Sequence, residues 1–124
     1  MELEYTLYGE PRAWQRIGFR AGGRGGATPA IVRELQARHR EAAELARPID
    51  WPLGGRFAVH VVAYLGTRRR PDVDNLAKLV MDGIQGVAFD NDSSVERLVC
   101  ERRHDPDDPR TEVRVIRIAE ERAA

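Results

Sequence analysis

The chain has 124 residues, 42% of them hydrophobic and 32% charged, with 20 basic side chains balanced by 20 acidic ones for a formal net charge of zero. Such a length holds one core and is too short for two, so one domain over residues 1–124 is expected; no apolar run reaches the roughly 18 residues of a membrane span, and the lone Cys100 excludes an internal disulfide or a cysteine-rich zinc site. Zero net charge excludes a bulk polycation, yet residues 1–71 carry twelve arginines against seven acids and residues 72–124 eight basic residues against thirteen acids, which predicts a basic surface set apart from an acidic site.

Glu2 to Tyr8 alternates, with Leu3, Tyr5 and Leu7 on one face, and reads as a half-buried strand stopped by Gly9-Glu10-Pro11. No basic, apolar leader precedes it, so the cytoplasm is the default expectation. From Arg12 to Ala27 the chain is rich in arginine and glycine, too rich in glycine for a stable helix or strand. Trp14 and Phe19 are interleaved there and could stack on bases if the segment is a basic arm; otherwise it is a surface loop. Thr28-Pro29 opens a helix, with Thr as N-cap and Pro at the first helical position. Ile31, Leu35, Ala42 and Leu45 recur at helical spacing, and Pro48 ends the helix after Arg47. His39 lies close to that apolar face and reads as a packing residue. Arg33, Arg40 and Arg47 repeat at a step of seven.

Phe57 to Leu65 is apolar on both faces and belongs at the centre of a sheet, with His60 as a core or sheet-face residue. A second helix starts at Asp72 or Asp74 and runs to about Gln85, with Gly86 as C-cap. At 100° per residue, Val73, Leu76, Val80, Gly83 and Val87 fall on one side, and Asp74, Lys78, Met81 and Asp82 on the other. Val95 to Arg103 and Thr111 to Ile118 read as strands around the turn Asp105–Pro109, which suggests a hairpin. The predicted fold class is α/β (α+β): a small mixed sheet of four or more strands with two main helices packed on it.

The chemistry concentrates between Arg68 and Asp92. Three arginines run into Pro71, Asp72-Val73-Asp74-Asn75 follows, and Asp90-Asn91-Asp92 comes a helix length later. Basic residues that hold phosphates, beside carboxylates that hold a hard divalent cation, point to a phosphodiester. Asp72, Asp74 and Asp92 are the candidate metal ligands. The helix between them spans roughly 17 Å, so Asp92 must return through the strand it leads into if the three are to converge within about 4–7 Å around an ion. Lys78, the only lysine beside 19 arginines, lies one turn after Asp74; it is a candidate catalytic cation or half of a surface pair with Asp74 or Asp82. Asp90 to Glu101 imitates a calcium loop but has Val95 where that loop needs glycine. Asp72-Val73-Asp74 is also shared in outline by phosphatases with an aspartate nucleophile, which place it directly after an apolar strand; here Arg68-Arg69-Arg70-Pro71 intervenes.

The run Arg69-Arg70-Pro71-Asp72-Val73-Asp74-Asn75-Leu76-x-Lys78, with Asp82 and then Asp90-Asn91-Asp92-Ser93-Ser94-Val95, resembles the RusA family of Holliday-junction resolvases. Gly9-Glu10-Pro11 through Arg16 resembles that family's N-terminal segment. The resemblance implies a homodimeric, Mg²⁺-dependent endonuclease, with Mn²⁺ as an alternative ion, that nicks four-way DNA junctions in pairs during recombination and repair. It implies Asp72, Asp74 and Asp92 as catalytic metal ligands, Lys78 as the supporting cation, and Arg16, Arg69 and Arg70 as DNA contacts. Asn91 and Ser94 depart from the pattern, the first where an acid is common and the second where Gln is. Two other readings stay open: a junction-binding module without catalysis, and a metal-dependent phosphatase.

Overall fold

The structure, a computed structural model, describes residues 1–14 and 29–119. In chain order the elements are β1 (Glu2–Tyr8), α1 (Ala30–Ala46), β2 (Arg56–Leu65), α2 (Val73–Ile84), a short 3₁₀ turn (Asp92–Ser94), β3 (Val95–His104) and β4 (Arg110–Ala119). The strands form one four-stranded sheet in the order β1-β4-β2-β3. β4 runs antiparallel to both β1 and β2, whereas β2 and β3 are parallel and joined through α2. This is the α+β architecture expected, a mixed sheet with two helices packed on it. Among the described residues no helix is long and apolar enough to cross a membrane.

The expected β3–β4 hairpin does not form, because β2 lies between the two strands. The turn that leaves β3 passes over the end of β2, where the Asp105 N–H donates to the Leu65 carbonyl at 2.8 Å. Burial accounts for the order. Phe57, Val59 and Val61 of β2 are buried, and a strand so apolar needs a neighbour on each side. On β3 only Val95, Val99 and Cys100 reach half-burial, which suits an edge. Strand spacing along a sequence carries no record of a third strand slotted in between.

Both helices cover the sheet face that bears Leu3, Phe57, Val59, Val61, Val113 and Val115; Ala43 of α1 and Val80, Met81 and Ile84 of α2 join them in one core. α1 buries Val32, Leu35, His39 and Ala43, a stripe turned from the expected one. Ile31 and Leu45 remain exposed at 44% and 82%. The arginine-rich helix offers few large apolar residues, so the fit to the sheet, rather than apolar count, sets which side faces in. Pro29 takes the N-cap position of α1 with no side-chain cap bond, and Thr28 lies outside the described residues. On α2, Val73 is exposed and Met81 buried, opposite to the helical-wheel assignment. Gly86 follows the last helical turn with φ +87°, as a glycine terminator requires.

The arginine repeat on α1 has a structural use. Arg40 Nη1 donates to the Gln85 carbonyl at 3.0 Å and Arg47 Nη1 to that of Val87 at 3.3 Å. Two guanidiniums thereby meet the carbonyl-rich, negative end of α2. Beyond it, Val87, Ala88 and Phe89 turn into the core, where Trp51 Nε1 donates to the Ala88 carbonyl at 2.9 Å and Phe57 packs 6.2 Å from Phe89.

The two helices cross at Gly83. A β-carbon there would lie 2.8 Å from the Gln36 carbonyl oxygen and 3.2 Å from His39 Cβ. Gly83→Ala is expected to lose about 1–3 kcal/mol through overpacking, against the roughly 1 kcal/mol that alanine gains in an ordinary helix; a lower melting temperature checks it. His39 gives a second test. It is buried, and its Nδ1 is hydrogen-bonded to the Tyr5 hydroxyl at 2.7 Å. Desolvation, with Arg38 nearby, lowers its pKa from 6.5 to about 4. The unfolded chain therefore takes up a proton that the folded chain refuses. Stability should be level above pH 6.5 and fall as pH drops from 6.5 toward 4, by roughly 3 kcal/mol at most; denaturant melts of wild type and His39→Gln would show that slope and its loss.

Candidate active site

β2 and β3 end side by side, Leu65 against His104, and the chain leaves β2 through Gly66–Pro71 to enter α2. Four ties hold this loop and the start of α2. The Glu10 carboxylate accepts from the Gly66 N–H at 2.8 Å and from the Thr67 N–H at 3.2 Å. Arg102 Nη1, from β3, donates to the Pro71 carbonyl at 2.8 Å. The Trp14 N–H donates to the Asn75 carbonyl at 2.8 Å. Apart from these four, the Gly9 N–H donates to the carbonyl of Pro109, in the turn before β4, at 2.9 Å. Gly9-Glu10-Pro11, which the sequence shows as a strand stop, thus also acts as a pin. Neither Glu10 nor Arg102 stands out by spacing; only the resemblance at residues 9–11 marked the first, and nothing marked the second. Gly66 must be glycine, since a β-carbon would lie 2.7 Å from the Pro109 ring and 3.1 Å from Glu10 Oε2.

On this pinned loop Arg68, Arg69 and Arg70 are exposed, and their side chains have no hydrogen-bond or ion-pair partner among the described residues. Asp72 occupies the N-cap position of α2 without making a cap bond, and Asp74 Oδ1 accepts from the Asn75 N–H at 2.9 Å. Both acids are exposed, and no cationic side chain among the described residues pairs with either. Two such carboxylates, two residues apart and open to water, are the donors Mg²⁺ commonly takes from a protein, with water and phosphate oxygens completing its shell. The residues present at this end fit a hard divalent ion.

Lys78 Nζ lies 3.3 Å from Asp82 and 4.8 Å from the centre of the Trp14 ring. Of its two expected acidic neighbours it therefore takes Asp82. Trp14 packs on Val32, Leu35 and Leu79 with Leu7, which corrects the expectation that its ring is free to stack on a base. Arg16 and Phe19 lie outside the described residues.

Asp92 stands elsewhere. It begins the 3₁₀ turn before β3, and β3 starts opposite Phe57, at the far end of β2 from Arg68. The Asp90 N–H donates to the Leu53 carbonyl at 3.1 Å, which holds this turn beside the start of β2. From Asp74 to the end of α2 the helix rises about 15 Å. The expected convergence of Asp72, Asp74 and Asp92 within one chain is not met: among the described residues no three His, Cys, Asp or Glu side chains are grouped to hold a metal ion. The physical reason is the parallel crossover. A helix joining two parallel strands has to run back along their length, so its two ends lie at opposite ends of the strands. Within the turn, Ser94 Oγ donates to Asp90 Oδ1 at 2.7 Å and Asn91 Oδ1 accepts from the Ser93 N–H at 3.0 Å. Asp90 and Asn91 thus shape the turn, and the Asp92 carboxylate has no partner among the described residues.

Removing the pin tests this geometry. Glu10→Ala leaves two loop N–H groups without their acceptor, at a cost of about 1–3 kcal/mol. Hydrogen exchange should speed up at Gly66 and Thr67 while the amides of β4 stay protected.

A family model described as Endodeoxyribonuclease RusA matches residues 9–116, which include the pin, the arginine loop, both acid clusters and Lys78. No curated protein matches the chain.

Proposed function

The chain belongs to the RusA family of endodeoxyribonucleases, and from that footing we propose that it is a divalent-metal-dependent nuclease that resolves four-way DNA junctions as a homodimer. One observation carries the reading. Three unpartnered arginines and two carboxylates without a cation share a single pinned loop. A folded chain gains nothing from holding like charges together in that way, whereas a phosphodiester and a metal ion answer both sets.

In this reading Asp72 and Asp74 hold the ion, Mg²⁺ or Mn²⁺. When bound it supplies an activated water and neutralises charge on the phosphate. Asp92 lies at the other end of α2, so its part in the same site requires a second copy: the acid pair of one protomer is completed by Asp92 of the partner subunit. Such sharing yields two sites about a two-fold axis, as paired nicks on two strands require. Arg69 and Arg70 grip the phosphates beside the scissile one, and Arg16 extends that contact. Among the described residues the ion pair of Lys78 is an exposed one with Asp82, an interaction worth about 0–1 kcal/mol. Its ammonium can leave that carboxylate for the developing negative charge, with the Trp14 ring as its rest.

Subunit mixing tests both the activity and the shared site. On a labelled synthetic four-way junction with Mg²⁺, the wild type is expected to give paired nicks, and Asp74→Asn and Asp92→Asn homodimers none. Co-refolded Asp74→Asn and Asp92→Asn chains should recover nicking of one strand, because one site of each mixed dimer is then intact. If all three acids acted within one chain, the mixture would stay inactive. Wild type that binds junctions without cutting them would reduce the protein to a binding module. Turnover of a small phosphate ester without DNA would point to a phosphatase.

Lys78→Arg separates surface from catalytic roles. A residue that merely pairs with Asp82 tolerates arginine at little cost. One that meets transition-state charge does not, since a planar fork misplaces it, and losses of this kind are about 10²–10³ in rate. The variant is expected to fold and bind junctions normally and to cut them more slowly by that factor in single-turnover assays.

A further inference from the structure

Beside the acid-bearing loop, where the parallel strands end, lies a hollow of about 360 Å³ with Arg68, Arg69 and Arg70 on one wall and Arg102, Arg103 and His104 on the other. No carboxylate is among its lining residues. The second wall is the end of β3, which no motif in the sequence marked. Its parts are ordered before any ligand arrives. Glu101 holds Arg103 through Nε and Nη2 at 3.0 and 2.6 Å, which leaves Nη1 unengaged by that carboxylate. Arg102 holds the Pro71 carbonyl, one residue before Asp72. A group seated in the hollow is therefore in register with the acid pair through a single hydrogen bond. On the other side of the loop a second hollow, about 560 Å³, shares Arg69 and Arg70 and reaches Arg12. The arginine loop thus borders two recesses, the second of them also lined by Glu10.

We propose that the hollow between the arginine loop and the end of β3 is a binding site for a DNA backbone phosphate, with Arg68 and His104 as contacts from opposite walls. This rests on the nuclease reading and extends it to a strand of the sheet that the reading did not use. Five guanidiniums from two separate segments converge here, and of these only Arg103 has a carboxylate partner among the described residues, Glu101; like charges gathered in this way repel one another. A tetrahedral phosphodiester monoanion with its two non-bridging oxygens turned toward the two walls relieves that repulsion, and arginine forks suit phosphate oxygens. The phosphate so held belongs to the strand that passes the acids, and it fixes that strand's register for cutting.

The test is equilibrium binding of a fluorescent four-way junction in EDTA, across a salt series, by full-length wild type, Arg68→Ala/His104→Ala and Arg97→Ala. Neither Arg68 nor His104 has a hydrogen-bond or ion-pair partner among the described residues, so the double variant should melt with wild type; if it does not, His104→Ala alone carries the comparison. Arg97 is an exposed arginine near the start of β3, away from the hollow, and controls for loss of bulk charge. The double variant is expected to bind about tenfold more weakly, with its log–log salt slope shallower by about 0.9, while Arg97→Ala keeps the wild-type slope. A double variant with wild-type affinity and slope overturns the site, and so does an equal loss in Arg97→Ala. Wild type that neither binds nor cuts the junction overturns the nuclease reading as well, which sets that failure apart from failure of the hollow alone.

Discussion

The parallel pairing of β2 with β3 constrains everything else in this molecule. Two parallel neighbours can be joined only by a connection that returns across the sheet, and here that connection is α2. The start of α2 must then lie over the strand ends, beside Leu65 and His104, and its finish over the strand starts, beside Phe57 and Val95. One end receives the arginines, Asp72 and Asp74. The other receives Asp92. With the acids divided in this way, the shared site proposed above calls for a second copy of the chain to bring Asp92 beside Asp72 and Asp74.

Charge is placed with equal economy. The arginine-rich first half of the chain does not form one basic face. Arg38, Arg40 and Arg47 are used within the fold, donating to the carbonyls of Tyr8, Gln85 and Val87, which ties α1 to β1 and to the far end of α2. Among the described residues the side chains of Arg68 to Arg70 stay unpaired, and their loop meets Arg102, Arg103 and His104 from the acidic half of the sequence. The basic surface is thus assembled from both halves. A near-neutral protein can carry a strong local positive field when some of its cations are engaged within the fold and others cluster on its surface.

The loop from Gly66 to Pro71, which leads into the proposed site, is held by groups drawn from far along the chain. Glu10 precedes it by 56 residues and Arg102 follows Pro71 by 31. Each bonds to backbone, so each restrains the loop without taking a side-chain position from it. That division leaves Arg68 to Arg70, Asp72 and Asp74 exposed on a fixed frame. It also places a carboxylate, Glu10, close to the arginines while spending its oxygens on N–H groups.

Much of this was legible in the residues alone. Alternation from Glu2 to Tyr8, the doubly apolar run from Phe57 to Leu65 and the helical spacing after Asp72 determine the elements, because side-chain period follows directly from backbone geometry. The side of a helix that faces inward was less legible. Ile31 and Leu45 look like core residues until the sheet selects Val32, Leu35, His39 and Ala43, and helical spacing cannot rank two nearby stripes. The order of the strands was not legible: a five-residue turn between β3 and β4 suggests a hairpin, and only the burial required by β2 inserts it between them. The sequence by itself determined which residues have the chemistry, since Asp72, Asp74, Asp92, Lys78 and the arginines are defined by their functional groups. Tertiary structure alone decided which of them meet. Proximity across a sheet depends on strand direction and pairing, and these are set by the packing of the whole chain rather than by any local run of residues.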